Sequence, residues 1–199
     1  KTPHLRSGRE QEIRLWLISQ LQRREYPLPR RMLLLGDLLY HGPRNDLPRD
    51  YAPKEVIAML NTRKESILCV RGNCDTEVDQ MVLDFELTEN YKTLSVDGKK
   101  FYLTHGHKFN SQNPPPMNDR DVLIHGHTHI SGYESFGDNN LLLNPGSVSI
   151  PKENTKNGYM IYESNTFIWK DFDGNEIMKY ASPQLRKALN MLWYGEYSE

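Results

Sequence analysis

Four short apolar runs in this chain each stop at a glycine beside a metal-seeking side chain, and that repetition limits the folds open to it. The runs MLLL, ILCV, FYLT and VLIH lead into Gly36-Asp37, Arg71-Gly72-Asn73-Cys74-Asp75, His105-Gly106-His107 and Gly126-His127-Thr128-His129. Apolar residues in succession, without polar alternation, suit strands covered on both faces, as in a parallel sheet with helices outside. Glycine at the end of such a run lets the backbone turn tightly and approach a metal or a phosphate. Ligands of α/β sheets gather at the carboxyl ends of the strands. The four runs are therefore expected to end near a common site.

The rest of the chain fills in around them. Ile13, Leu17, Ile18 and Leu21 recur at helical spacing, so residues 10–24 read as an amphipathic helix that Pro27 and Pro29 end. Residues 38–53 carry Gly42, Pro43, Pro48 and Pro53 and read as a long loop; residues 54–63 read as a second helix. The first part thus alternates helix and strand. Beyond it, Asp97-Gly98, Gly137-Asp138 and Ser164-Asn165 each separate two strand-like segments, giving three hairpins and a mostly antiparallel half. Leu185, Ala188, Leu189 and Leu192 suggest a C-terminal helix. The expected architecture is an α/β, four-layer α/β/β/α sandwich of two mixed sheets with outer helices. It forms a single domain over residues 1–182, with 183–199 as a helical extension.

Composition narrows the partners. The 199 residues suit one domain, hydrophobic residues are 37%, and the formal net charge is -1. That balance argues against a broad nucleic-acid or membrane surface. No apolar run approaches the roughly 18–20 residues needed to span a bilayer. The two cysteines, Cys69 and Cys74, are poorly placed to bridge, which fits a reducing, cytoplasmic setting.

A strand-end histidine on its own is usually structural. Here five of the seven histidines (His105, His107, His125, His127 and His129) lie in or just before the strand-end motifs. Imidazole nitrogens, the Asn73 carbonyl and the Asp37 carboxylate make a mixed donor set suited to manganese, iron, zinc or cobalt. A structural zinc site is disfavoured because paired cysteine ligands are missing. No G-x-S-x-G elbow occurs, so a serine hydrolase is disfavoured too. The candidate metal ligands are Asp37, Asn73, His105, His127 and His129, with Asp37 as the natural bridge between two cations. Candidate catalytic residues are Asp37, Asn73, Cys74 and His105. His41, Arg44 and Asn45 in the loop after Asp37, and Arg71, are candidate substrate contacts, although Arg71 could instead salt-bridge Asp75 or another local acid. His107 reads as a neighbour of the ligands, His125 as buried structure, and Ser147 as a hydrogen-bonding residue.

The ordered series Gly36-Asp37, Gly72-Asn73-Cys74-Asp75, Thr104-His105-Gly106-His107, Gly126-His127-Thr128-His129 and Asn144-Pro145-Gly146-Ser147 resembles the calcineurin-like metallophosphoesterase superfamily. The fuller runs GDLLYHGPRN, VRGNCDTEVDQM and LNPGSVSIPK resemble its bacterial YfcE-type phosphodiesterase subgroup, related to the retromer subunit Vps29. The resemblance covers roughly residues 32–163. It implies a phosphodiesterase of small phosphodiesters that uses two divalent ions, most commonly Mn2+, and a metal-activated hydroxide. By position it implies Asp37 as bridge, Asn73, His105 and His127 on the second metal, and His129 on the first.

In two places the sequence departs from that pattern. The family opens with a strand ending in Asp-x-His, whereas no aspartate precedes Asp37 and the only earlier histidine is His4. Residues 1–11 are atypical for that strand, so the first metal site reads as incomplete and the sheet as short of a central strand. An altered or truncated N-terminus, a non-catalytic member, and substitution by Glu10, Glu12 or His4 stand as competing accounts. Loss of the motif also supports an alternative function, a catalytically impaired protein-interaction scaffold like Vps29. The other departure is Cys74, where many superfamily members carry histidine; the YfcE-type subgroup shares the cysteine. It would bias the site toward diesters with good leaving groups, or would simply pack. The apolar stripe Leu185, Leu189, Leu192 and Trp193 leaves open whether the tail packs on its own domain or makes a homo-oligomer.

Overall fold

The computed structural model describes the backbone of Leu15–Ile18 and residues 31–181. Two mixed sheets face each other. The first contains β1 (Leu15–Ile18), β2 (Arg31–Leu34), β3 (Ile67–Cys69), β9 (Gly158–Glu163), β10 (Thr166–Asp171) and β11 (Glu176–Ala181), in the order β11-β10-β9-β1-β2-β3. The second contains β4 (Tyr91–Val96), β5 (Lys99–Thr104), β6 (Val122–Ile124), β7 (Gly132–Phe136) and β8 (Asn140–Asn144), in the order β4-β5-β6-β8-β7. Helix α1 (Pro53–Asn61) connects β2 to β3, and a short α2 (Glu77–Val82) follows β3. No helix among the described residues is long and apolar enough to cross a membrane.

The unbroken apolar run before Asp37 now has a physical reason. Leu33 and Leu35 point between the sheets, into a cluster with Phe101, Leu103, Ile124 and Trp169. Met32 and Leu34 point the other way, toward Leu60 of α1. A strand covered on both sides has no solvent face and needs no polar alternation. Each leucine buried in this way contributes roughly 1.5–3 kcal/mol. The strand is parallel to β3, and β5, β6 and β8 are mutually parallel in the second sheet. Their carboxyl ends therefore point in common directions, carrying the four motifs together.

The Asp97-Gly98 and Ser164-Asn165 turns join β4 to β5 and β9 to β10, with φ positive at both central residues. That is the geometry two-residue hairpins require. The hairpin β7–β8 also forms.

Several expectations need correction. Residues 10–24 are not one helix: Leu15–Ile18 is a strand, parallel to β2 on one side and antiparallel to β9 on the other. The first sheet thus has its central strand, supplied by LWLI. Short apolar runs fit helix and strand equally well, and here the sheet position decides. The second sheet is less antiparallel than its hairpins suggest, since its interior pairs are parallel. The strand β11 and helix α2 were not anticipated. Helix α2 is fixed at its start by a Thr76–Asp79 capping box.

Outside the first sheet lies α1. Outside the second, among the described residues, Met117 from the loop after β5 covers Tyr102, Leu123 and Leu142. A helix over the second sheet is not among the described residues. The expected C-terminal helix and residues 1–14, which include His4, Glu10 and Glu12, also lie outside them.

Candidate metal centre

The centre is assembled by close backbone approach. The chain turns after β2 through Gly36 (φ 86°) and Asp37 (φ 55°), and the loop after β3 passes directly beneath it. A Cβ on Gly72 would collide with the Asp37 carboxylate and backbone nitrogen, and one on Gly36 would collide with the Gly72 backbone. Only glycine at both places allows the two loops to touch. Asp75 then ties them together from below. Its buried carboxylate accepts hydrogen bonds from the backbone N–H groups of Asp37 (2.8 Å), Leu38 (3.0 Å) and Gly72 (2.7 Å). Burial pushes the Asp75 carboxyl up, and those three donors offset only part of the rise.

His105, at the end of β5, is the hub. Its Nδ1 lies against the Leu35 carbonyl, which can only accept, so Nδ1 carries the hydrogen and Nε2 is left facing inward. Around Nε2 stand Asn73 Oδ1 at 3.0 Å, His127 Nδ1 at 3.1 Å and Asp37 Oδ2 at 3.3 Å. These are all electron-pair donors, and crowding them onto one nitrogen is unfavourable unless a cation lies among them. Donors about 2.1 Å from one ion and at right angles to each other lie about 3.0 Å apart. The spacing thus fits a divalent metal.

A proton on His105 competes for that position. Burial disfavours charge on His105, but the Asp37 carboxylate outweighs it and the imidazole holds a proton more firmly than usual. Burial also works against the Asp37 anion, yet His105 and the Cys74 N–H hold its carboxyl below the ordinary range. Burial and the neighbouring His105 push His127 down to about 4, leaving it neutral and able to ligate. Among the described residues, no three His, Cys, Asp or Glu side chains stand as a preformed cage around an open metal position. The donors instead close on His105, and one of them is an asparagine carbonyl.

The loop that carries His127 and His129 is held by its surroundings. His127 and His129 both adopt positive φ (62° and 64°), a conformation that costs roughly 1–3 kcal/mol outside glycine. Asn144 braces the loop between them. Its side-chain amide donates to the Gly126 carbonyl and the Thr128 hydroxyl, each at 2.9 Å, while its Oδ1 accepts the Gly146 N–H at 2.8 Å. His129 Nδ1 donates to the Ile150 carbonyl at 3.0 Å, leaving Nε2 as its free nitrogen. It makes no hydrogen bond to the His105 cluster, but it feels the Asp37 charge. The structure therefore brings Asp37, Asn73, His105 and His127 into direct contact and sets His129 apart.

Cys74 touches the site from the side. Its backbone N–H donates to Asp37 Oδ1 at 2.8 Å, and its sulfur accepts the Asn73 amide at 3.1 Å. That second bond turns the Asn73 carbonyl toward His105. Burial and the Asp37 charge push the thiol up to about 12, so it is protonated at neutral pH in the absence of a metal. Gly42 packs against the sulfur.

The remaining candidates are spread around the rim. Arg71 donates to the Asp75 carbonyl (3.2 Å) and to Glu77 (2.9 Å), so its guanidinium braces the start of α2. Of the salt bridges considered, with Asp75 or another local acid, the one that forms is with Glu77, and Asp75 receives only a bond to its backbone carbonyl. Asn45 donates to the His41 carbonyl, and the His41 ring lies edge-on to Tyr40 and Tyr51. Arg44 is exposed near Cys74. His125 is buried against the Gly126 carbonyl, and the buried Ser147 hydroxyl accepts the Ile150 N–H. His107 stands 5.3 Å from His105, ring to ring, with an enclosed Nδ1 that has no partner among the described residues. It lines a cleft of about 550 Å³ that also reaches His127. Asp75 and Asn144 are the organising residues that sequence reasoning missed. The only signals for them were their places in the GNCD and NPGS motifs.

Residues 31–166 match the model of the calcineurin-like phosphoesterase superfamily domain. The chain is 44% identical over 134 residues to phosphodiesterase YfcE of Escherichia coli K12, covering 67% of this chain and 72% of that one. It is 29% identical over 124 residues to the probable metallophosphoesterase YsnB of Bacillus subtilis, covering 57% and 68%. A solved structure of the E. coli phosphoesterase YfcE superposes with a TM-score of 0.77 and 36% identity, over 84% of this chain and 98% of that one. Vps29 of Cryptosporidium parvum superposes at 0.53 with 18% identity, over 86% and 99%, a likeness of fold alone.

Proposed function

This chain belongs to the calcineurin-like phosphoesterase superfamily, and from that premise we propose that it is a metal-dependent phosphodiesterase acting on small phosphodiesters. It is a phosphoesterase by family, and its relationship to YfcE supports phosphodiester hydrolysis. The observation that carries metal dependence is the convergence of Asn73 Oδ1, His127 Nδ1 and Asp37 Oδ2 on His105 Nε2.

In this reading Asp37, Asn73, His105 and His127 would hold one divalent ion, and Asp37 with His129 would contribute to a second, Mn2+ being the expected metal. When bound, such ions make water a stronger nucleophile at neutral pH and polarise phosphoryl oxygens. The protein's own groups do the rest. The Leu35 carbonyl fixes the His105 tautomer, and Ile150 does the same for His129. Asp75 holds the Asp37 loop against the Gly72 loop. Cys74 orients the Asn73 carbonyl, and its protonated thiol is a hydrogen-bond donor at the edge of the site. His41, Arg44 and Asn45 stand on the loop over Cys74, where they could meet the substrate; Arg71 is assigned to bracing. The free cysteines suit a reducing, cytoplasmic setting.

The first metal has fewer ligands here than the family pattern provides, because no Asp-x-His follows the LWLI strand. That one feature favours the scaffold reading. Hydrolysis of bis(p-nitrophenyl) phosphate by the chelator-stripped full chain separates the two. Turnover that is absent with chelator and returns with Mn2+ supports the enzyme. Absence of turnover in a folded, Mn2+-supplied chain supports the scaffold.

A further inference from the structure

The cleft beside the metal centre has a composition of its own. It encloses about 550 Å³, within the roughly 300–1,000 Å³ of small-molecule sites. One wall is the loop after β5, with Asn110, Ser111 and Gln112; the other is β7, with Tyr133 and Glu134. His107 and His127 close its end toward the metal centre. Ser111 Oγ donates to Glu134 Oε1 at 3.3 Å and so joins the walls. Among the described residues, the lining holds one carboxylate and no lysine or arginine.

A phosphodiester carries its negative charge on the phosphate, which the metal centre would take. What extends into the cleft is then one ester group, and it meets amides, hydroxyls and Glu134. We infer that this cleft receives an ester group of the substrate and selects for a cationic amino-alcohol group through Glu134. This rests on the phosphodiesterase reading above. A neutral ester group gains nothing from Glu134, and an anionic one is repelled. Glu134 stands on the face of β7 turned toward the loop after β5, where Ser111 holds one of its oxygens and leaves the other open to a cation. Glu134 is itself exposed, so solvent screens the attraction to roughly five-fold in selectivity.

The test uses the Mn2+-loaded full chain and two diesters that share a p-nitrophenolate leaving group, p-nitrophenyl phosphocholine and p-nitrophenyl ethyl phosphate. The ratio of their kcat/KM values is expected to favour the choline ester by roughly five-fold. Glu134→Gln should bring the ratio near one, and Glu134→Lys should reverse it. A ratio that is the same in all three proteins overturns the assignment. If neither diester nor bis(p-nitrophenyl) phosphate is hydrolysed, the phosphodiesterase reading fails on its own. The cleft is then read by calorimetric binding of p-nitrophenyl phosphocholine: weaker binding to Glu134→Lys than to the unaltered chain supports it, and equal binding overturns it.

Discussion

Asp37 owes its position to two glycines and a hidden carboxylate, and only the glycines were plain in the sequence. The motif GNCD shows Asp75 as one more acid near a candidate ligand. Its three backbone partners include two that lie 37 and 38 residues away, which no local pattern reveals. Asp75→Ala leaves three enclosed N–H groups without their acceptor. Chemical denaturation should show a loss of about 2–4 kcal/mol, with Asp75→Asn losing less because it keeps an acceptor oxygen. The candidate ligands stood out for the opposite reason: glycine–histidine and glycine–aspartate steps after apolar runs are rare enough to be noticed. Cys74 was legible as a departure, but not as the group that turns Asn73. Cys74→His should raise the ratio of phenyl phosphate to p-nitrophenyl phosphate hydrolysis, because imidazole protonates the poorer phenolate leaving group more readily. An unchanged ratio would assign the residue to packing and to orienting Asn73.

Among the elements, those with their own turn chemistry were read with the least error. The β4–β5 and β9–β10 hairpins follow from residues that accept positive φ at both turn positions. Strand β1 was misread because LWLI is short, and its surroundings have helical spacing. It becomes a strand by filling the slot between β9 and β2. Strand β11 escaped notice since EIMKYA mixes charged and apolar residues, as suits its place at the edge of the first sheet. At the end of β8, Asn144 holds the loop that places His127 and His129 in their costly conformations. Asn144→Ala should therefore weaken Mn2+ binding by roughly ten- to a hundred-fold while far-UV circular dichroism keeps its strand signature. Unchanged affinity would mean that the loop holds its shape without that side chain.

At the scale of the whole molecule, the two sheets contribute different parts of one site. The first supplies Asp37 and Asn73 from β2 and β3; the second supplies His105 and His127 from β5 and β6. Their alignment depends on the shared core, where Phe101 meets Tyr162 and Phe167 edge-on or tilted. Trp169 of the first sheet crosses that core and donates its indole N–H to the Asn144 carbonyl at 2.7 Å. Packing between the sheets thus reaches the brace of the His127–His129 loop directly. Such cross-sheet contacts lay beyond sequence reading, which gave the order of the strands' motifs but not which sheet faced which.

The metal site proposed at this junction is tested most directly by calorimetric titration of Mn2+ into the chelator-stripped full chain, with His105→Ala as the comparison. The unaltered chain should bind at least one equivalent, and the variant should bind at least ten-fold more weakly at the same folded content. Identical isotherms for the two proteins would contradict a metal centre built on His105.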